Sequence, residues 1–281
     1  MNEIFTVGDF CFRLEYPKEL VIPANFLLFR GGASPAYTYT VCLSGDFPEP
    51  EGQILARRED ILVLGTGAGE RRYIGVKGSP APYACYEETA GDAARVLLEP
   101  DRIRELSIDP VFVSLLALER RMIRRDALIL HCAYLEYQGE AVLFTAPSGT
   151  GKTTQGGLWE KHRGAVTVNG DRALLQKKDG RWIAWGWPVC GTSEVCHNRA
   201  LPIRAIVTLS QAPYDTAEKL RPARAFTQVF SQITANRWNR QDYLRAMELA
   251  ETLVGDIPVY HLACTMNESA VETLEKAVFG E

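Results

Sequence analysis

The sequence predicts a mixed α/β protein: a β-rich N-terminal lobe over residues 1–108 and an α/β domain over residues 109–281. Three observations lead there. Short apolar runs separated by Gly and Pro clusters fill the chain up to about Arg102. Strand-like and helix-like apolar periodicities then alternate, as they do when helices pack on a sheet. Finally, the apolar run at residues 141–145 leads directly into a glycine-rich loop, Ala146-Pro147-Ser148-Gly149-Thr150-Gly151-Lys152-Thr153-Thr154. With 46% hydrophobic residues in a chain of 281, there is enough apolar material for a substantial core.

In the N-terminal lobe, strands are expected at residues 10–16, 26–30, 37–43, 60–64 and 71–76, with turns at 31–35, 46–52 and 78–82. No motif with chemistry lies there, and structural support is its simplest role. A helix is expected to open at Asp109-Pro110, where Asp suits the N-cap and Pro the first helical position. It runs over 111–125 with Val111, Leu115, Leu118 and Met122 on one side, and Arg120, Arg121, Arg124 and Arg125 read as its solvated face. This segment joins the two halves.

A strand at 127–137, the Gln138-Gly139 turn and the strand at 141–145 feed the loop, and a helix should follow over 153–162. Gly156 and Gly157 weaken that helix, since an interior Gly costs about 1 kcal/mol relative to Ala. Beyond it, strands are expected at 165–168, 181–185, 205–209 and 259–262, and helices at 223–234, 241–253 and 269–279. This alternation completes a mixed α/β domain.

A formal net charge of −4, a pI near 5.7 and scattered basic residues argue against nucleic-acid or membrane partners. The N-terminus shows no basic stretch followed by an apolar run, and no apolar segment reaches about 18 residues, so a cytoplasmic location is the expectation. Seven cysteines, an odd number, read as reduced thiols; Cys190, Cys196 and His197 fall short of a closed four-ligand metal site. A homo-oligomer is compatible with the sequence.

The loop carries the chemistry. Small residues at Ala146, Gly149 and Gly151 let the backbone curl so that successive N–H groups face one concavity, which suits a polyphosphate. Ser148, Gly149, Thr150, Gly151, Lys152, Thr153 and Thr154 are therefore the candidate nucleotide-binding residues. Lys152 would meet the β- and γ-phosphates, and the Thr153 hydroxyl would be a ligand of Mg²⁺. The following helix adds its N-terminal dipole. A second metal ligand is needed, and Asp171 is the best candidate, closing a short apolar strand about 20 positions after the loop. Asn169-Gly170-Asp171 is also good turn chemistry, and the two readings are compatible.

These residues resemble a family, the HPr kinase/phosphorylase C-terminal domain and its relative, ATP-dependent phosphoenolpyruvate carboxykinase. Ser148-Gly149-Thr150-Gly151-Lys152-Thr153-Thr154 is similar to the loops of both. Leu130-His131, with the strand, Gly139 turn and strand after it, is similar to the His-containing segment ahead of the kinase loop, and Val168-Asn169-Gly170-Asp171-Arg172 falls where that kinase has paired aspartates. The resemblance implies a mixed-sheet P-loop domain, with ATP and Mg²⁺ as cofactors. It also implies a phosphotransferase acting on a hydroxyl, serine by preference, of an unidentified protein, peptide or small molecule. Lys152, Asp171 and His131 would be its catalytic residues, and Thr153 and Asp171 its metal ligands. Relatives that phosphorylate a peptide serine are consistent with a peptide acceptor.

The pattern also departs from the family. Gly170 stands where the general base is usually assigned, which leaves deprotonation to Asp171 or to His131; an imidazole is the side chain that takes a proton near neutral pH. Arg172, Arg204, Arg237 and Arg240 are open candidates for holding the acceptor or the γ-phosphate. Two rivals stand beside the kinase: a non-catalytic ATP-binding regulator or scaffold, which the missing aspartate favours, and a carboxykinase-like lyase, which the loop string favours.

Overall fold

The computed structural model describes residues 1–79 and 81–280, apart from the side chains of residues 104, 105, 107, 109 and 192. The chain is mixed α/β, with two large mixed sheets and few helices. It divides into two compact units: Met1–Arg121 with Arg237–Arg240, and Met122–Asn236 with Gln241–Glu281.

The first unit is one eight-stranded sheet in the order β1-β2-β3-β8-β7-β6-β5-β4. Its strands are β1 (Asn2–Val7), β2 (Phe10–Glu15), β3 (Tyr37–Leu43), β4 (Gln53–Arg57), β5 (Ile61–Thr66), β6 (Gly69–Gly75), β7 (Pro82–Ala90) and β8 (Ala93–Leu98). β3 pairs in parallel with both β2 and β8, and the other pairings are antiparallel. Alternate residues Phe5, Val7, Phe10, Phe12, Leu14, Tyr37 and Tyr39 are buried, the two-residue period of a sheet with one covered face. The stretch expected as a strand at 26–30 instead holds a short helix, α1 (Ala24–Leu27), and Phe26 packs at 4.8 Å and 75° against Phe112. Phe26 on the helix and Phe29 just after it are both buried, whereas a strand would point them to opposite faces. The expected turn at 78–82 includes Pro80, outside the described residues.

The helix expected over 111–125 is two helices, α2 (Asp109–Leu115) and α3 (Leu118–Ile123), broken at Ala117 with φ +49°. The backbone cap of α2 is Ile108; the Asp109 side chain, expected as the cap, lies outside the described residues. Arg120 and Arg121 are not a solvated face: they are 2% and 6% exposed. Arg120 donates to Glu70 at 2.7 Å and to Glu88 at 2.7 and 3.1 Å, and Arg121 also pairs with Glu88. Arg72 joins Glu70 at 2.9 Å and Glu119 at 2.6 Å, and Asn239 donates to Glu70 at 3.2 Å. The Asn239 contact and Trp238, 5.5 Å from the Arg72 guanidinium, tie residues 237–240 to this unit. Burial pushes the Glu70 carboxyl up, but Arg72 and Arg120 outweigh it and hold it below its ordinary range. Buried arginines survive here because each has a carboxylate.

The second unit carries β9 (Ala127–Tyr137), β10 (Glu140–Thr145), α4 (Lys152–Arg163), β11 (Val166–Asn169), β12 (Arg172–Lys178), β13 (Arg181–Trp185), β14 (Ala200–Gln211), β15 (Thr216–Lys219), α5 (Pro222–Phe230), α6 (Arg240–Asp256), β16 (Val259–Cys264) and α7 (Glu268–Phe279). Its eight-stranded sheet runs β10-β9-β12-β13-β14-β16-β15, with β11 on β9. β14 pairs with β13 through its first residues and in parallel with β10 further on, so the path from β10 to β14 closes on itself. One core holds Leu130, Leu143, Leu175, Ile206, Val229 and Leu253; the other, around Trp159, holds Leu135, Phe144, Val207 and Leu274. β10, β14 and β16 are mutually parallel neighbours, and their carboxyl ends lie at one edge, the edge where ligands sit in α/β sheets. No helix among the described residues is long and apolar enough to cross a membrane.

Candidate functional site

β10 ends at Thr145, and the chain curls through residues 146–151 before α4 begins at Lys152. Gly149 and Gly151 take φ +80° and +118°, a conformation that side chains other than glycine rarely adopt. A Cβ on either would meet nothing within 4 Å, so the space before them is open. Gly151 is the N-cap residue of α4, and no side chain caps the helix. The first helical rung runs from Gln155 N–H to Gly151 O at 2.9 Å, which leaves the N–H groups before it without an intrahelical partner. Lys152 is 7% exposed and donates to Ala146 O at 2.8 Å and Pro147 O at 3.3 Å. Burial lowers its pKa, with Asp171 opposing.

The Asp171 turn is held by Asn169, which is fully buried. Its Oδ1 accepts from the N–H groups of Asp171 and Arg172, both at 2.9 Å, and its Nδ2 donates to Trp187 O at 2.8 Å and Val189 O at 3.1 Å. Asp171 Oδ1 lies 3.5 Å from His131 Nε2, and Oδ2 accepts from Arg172 Nε at 3.0 Å. His131 does most to hold the Asp171 carboxyl below its ordinary range; burial opposes, and Arg172 adds to the lowering. His131 is fixed from two further directions. Its Nδ1 lies 3.3 Å from Gln232 Oε1, and its carbonyl accepts from the Thr145 hydroxyl at 2.8 Å.

Ser148, Gly149, Gly151, Lys152, Thr153 and Thr154 line a cleft of about 260 Å³ together with His131, Gly170 and Asp171. Of the candidate catalytic, nucleotide-binding and metal-ligating residues, only Thr150 is not part of that lining; its hydroxyl turns back to Pro147 O at 2.9 Å. Of the four candidate arginines, Arg172 contacts Asp171 within the cleft. Arg204 donates to Val278 O at 2.9 Å and stacks on Phe279, and Arg237 and Arg240 belong to the other unit. All seven cysteines are free thiols, and no three His, Cys, Asp or Glu side chains among the described residues converge on a metal-sized space.

Packing explains the glycine at 170. A Cβ there would lie 1.9 Å from Ser193 Oγ and 2.3 Å from Ser193 Cβ. The Ser193 hydroxyl, bonded to Cys190 O at 2.7 Å, fills the space a side chain at 170 would need. Asn169, Ser193 and Gln232 are the residues of this site that sequence reasoning missed. Only Asn169 left a signal, as the first residue of an Asn-Gly-Asp turn.

An α/β protein whose second sheet delivers a glycine-rich strand-loop-helix, a near-buried lysine and an aspartate to one cleft is the class that fold and site define. Within it, the chain belongs to the ScmC family: the family model described as SynChlorMet cassette protein ScmC matches residues 98–280, more than half the chain. No curated protein matches it. Among solved structures, the HPr(Ser) kinase/phosphatase from Coxiella burnetii is similar at 13% identity over 54% of this chain and 93% of that one, with a TM-score of 0.31.

Proposed function

We propose that this chain is an ATP- and Mg²⁺-dependent phosphotransferase of the HPr kinase-like type, built on a P-loop domain, that acts on a hydroxyl, serine by preference, of a protein, peptide or small molecule. The observation that carries the reading is the meeting of Lys152, Thr153, Asp171 and His131 around one cleft at the mouth of a glycine loop. The residues fit the groups the reading requires. The uncapped start of α4 and the open faces of Gly149 and Gly151 suit a polyphosphate. Lys152 rests on two loop carbonyls that it can exchange for phosphate oxygens. Asp171 spends one contact on each carboxylate oxygen, which leaves lone pairs for a cation, and Thr153 lines the same cleft.

In this reading Thr153 and Asp171 would hold Mg²⁺, which would supply charge neutralisation at the phosphates. Lys152 and the loop N–H groups bind and orient the triphosphate. His131 would take the proton of the acceptor hydroxyl at Nδ1, the ring nitrogen that does not face Asp171, with Gln232 Oε1 displaced from it; the hydroxyl oxygen would form the new bond to the γ-phosphorus as the bond to the β-phosphate oxygen breaks. Asp171 Oδ1, 3.5 Å away, stabilises the imidazolium so formed. Gly170 removes the other candidate base, because Ser193 holds its space.

The same glycine favours a second reading, a nucleotide-binding regulator without transfer. The test is incubation with γ-labelled ATP and Mg²⁺, alone and with a host lysate or peptide pool, comparing the native chain with Lys152→Ala. Label on an acceptor with the native chain alone supports the transferase. ATP binding without any labelled product supports the regulator.

A further inference from the structure

A second cleft, of about 230 Å³, opens beside the first at the carboxyl ends of β10, β14 and β16, walled by residues 145–147 and by Thr208, Gln228, Ser231, Gln232 and His261. It is smaller than the roughly 300–1,000 Å³ of pockets that enclose a whole drug-sized ligand, so it takes one side chain or small group. Its lining, among the described residues, includes no Asp, Glu, Lys or Arg.

Burial favours the neutral form of the one titratable lining residue, His261. Thr208 has one hydroxyl proton for two oxygen acceptors, Gln228 Oε1 at 2.7 Å and Tyr260 O at 3.2 Å. With that proton on either oxygen, His261 Nδ1, 3.0 Å from the hydroxyl, is the donor to it. His261 Nε2, 3.0 Å from Ser210 Oγ, is then left to accept from Ser210. Burial, and then the charge of Arg224, push the His261 pKa down; Glu218, which pairs with Arg224, opposes weakly. An anion entering this cleft would lose water and gain no counter-charge.

Two polar features give the cleft its direction. Gln228 turns its Oε1 to Thr208, and its Nε2 donors have no partner among the described residues, so they are ready for a ligand carbonyl. Gln232 reaches both clefts: Nε2 donates to Ser231 Oγ at 3.1 Å, and Oε1 lies 3.3 Å from His131 Nδ1. We propose that this second cleft is a binding site for an uncharged amide group, and that Gln232 transmits its occupancy to His131. The site stands on its own geometry and does not depend on phosphoryl transfer.

The chain has four histidines, so ring signals are few enough to assign. The experiment follows imidazole ¹⁵N shifts at pH 7.5 while titrating acetamide or its carboxylate counterpart, acetate, with no nucleotide present. The amide is expected to move the His261 and His131 signals and to bind at least about tenfold more tightly than the carboxylate. In Gln232→Leu, which also alters one wall of the cleft, the His261 response is expected to remain at weaker affinity and that of His131 to vanish even at saturating amide, and Gln232→Asn is the second variant with the same expectation for His131. Unchanged His162 and His197 signals report that each variant is folded. No response of His261 to the amide, equal affinity for the carboxylate, or an intact His131 response in both folded variants would overturn the proposal. Failure of the transferase reading alone would leave every one of these readouts in place.

Discussion

Gly170→Ala isolates the contact that separates this site from a two-aspartate arrangement. The new Cβ would lie 1.9 Å from Ser193 Oγ and 2.3 Å from its Cβ, more than 1 Å inside normal contact. Ser193 would have to swing away and give up its 2.7 Å bond to Cys190 O. Losing that bond costs about 1 kcal/mol, and the overpacking adds about 1–3 kcal/mol. Together they amount to a fall in Tm of roughly 5–15 °C. Calorimetry on the native chain, Gly170→Ala, Ser193→Gly and the double variant completes a mutant cycle. The double variant should be no less stable than Ser193→Gly alone, because both clashing atoms are gone. A Gly170→Ala chain within about 1 °C of the native Tm, or a double variant as damaged as the sum of the singles, would refute the packing argument.

Other expectations follow from the same geometry. Asp171→Asn should raise the Mg²⁺ needed for half-maximal transfer sharply, and an unchanged metal titration would remove Asp171 as a ligand. Because the folded Asp171 carboxyl titrates below its ordinary range, the stability it lends is complete above the usual carboxylate pKa. That stability drains as pH falls towards the folded value, so Asp171→Asn should flatten the acid limb of a stability-against-pH curve. His131→Ala should slow transfer by about 10² to 10⁴ at saturating ATP; a loss well under roughly 10² would make the histidine structural. Glu88→Gln weakens the pairing of Arg120 and Arg121 inside the first unit and should cost about 3–5 kcal/mol in a urea titration. A midpoint equal to that of the native chain would show that Glu88 contributes no net stability.

The site was legible wherever its chemistry is local in sequence. An apolar strand, small residues, a lysine and hydroxyls in succession specify the loop and its helix, and the structure places that helix at Lys152–Arg163 where 153–162 was expected. The strands at Tyr37–Leu43 and Arg181–Trp185 lie where their alternation put them. What failed depends on distant partners. β7 was not foreseen, since it is buried through four consecutive residues from Tyr83 to Tyr86 and shows no alternation there. Charge alone assigns Arg120 and Arg121 to solvent, because the carboxylates that accept them lie 50 and 32 residues earlier in the chain. Gln232 meets His131 across 101 residues, and nothing local in either segment announces it. Gly170 was read as a missing base; the cause, a serine packed against it, becomes visible only once residues 190–193 fold over the turn.

The measurement that bears most directly on the proposed function is transfer of the γ-phosphate from labelled ATP by the intact chain with Mg²⁺, set beside Lys152→Ala and beside the native chain with its metal chelated. The account predicts a labelled acceptor from the native chain alone, with the label on a hydroxyl-bearing residue or molecule. Equal labelling by Lys152→Ala, or transfer that persists without a divalent cation, would contradict it.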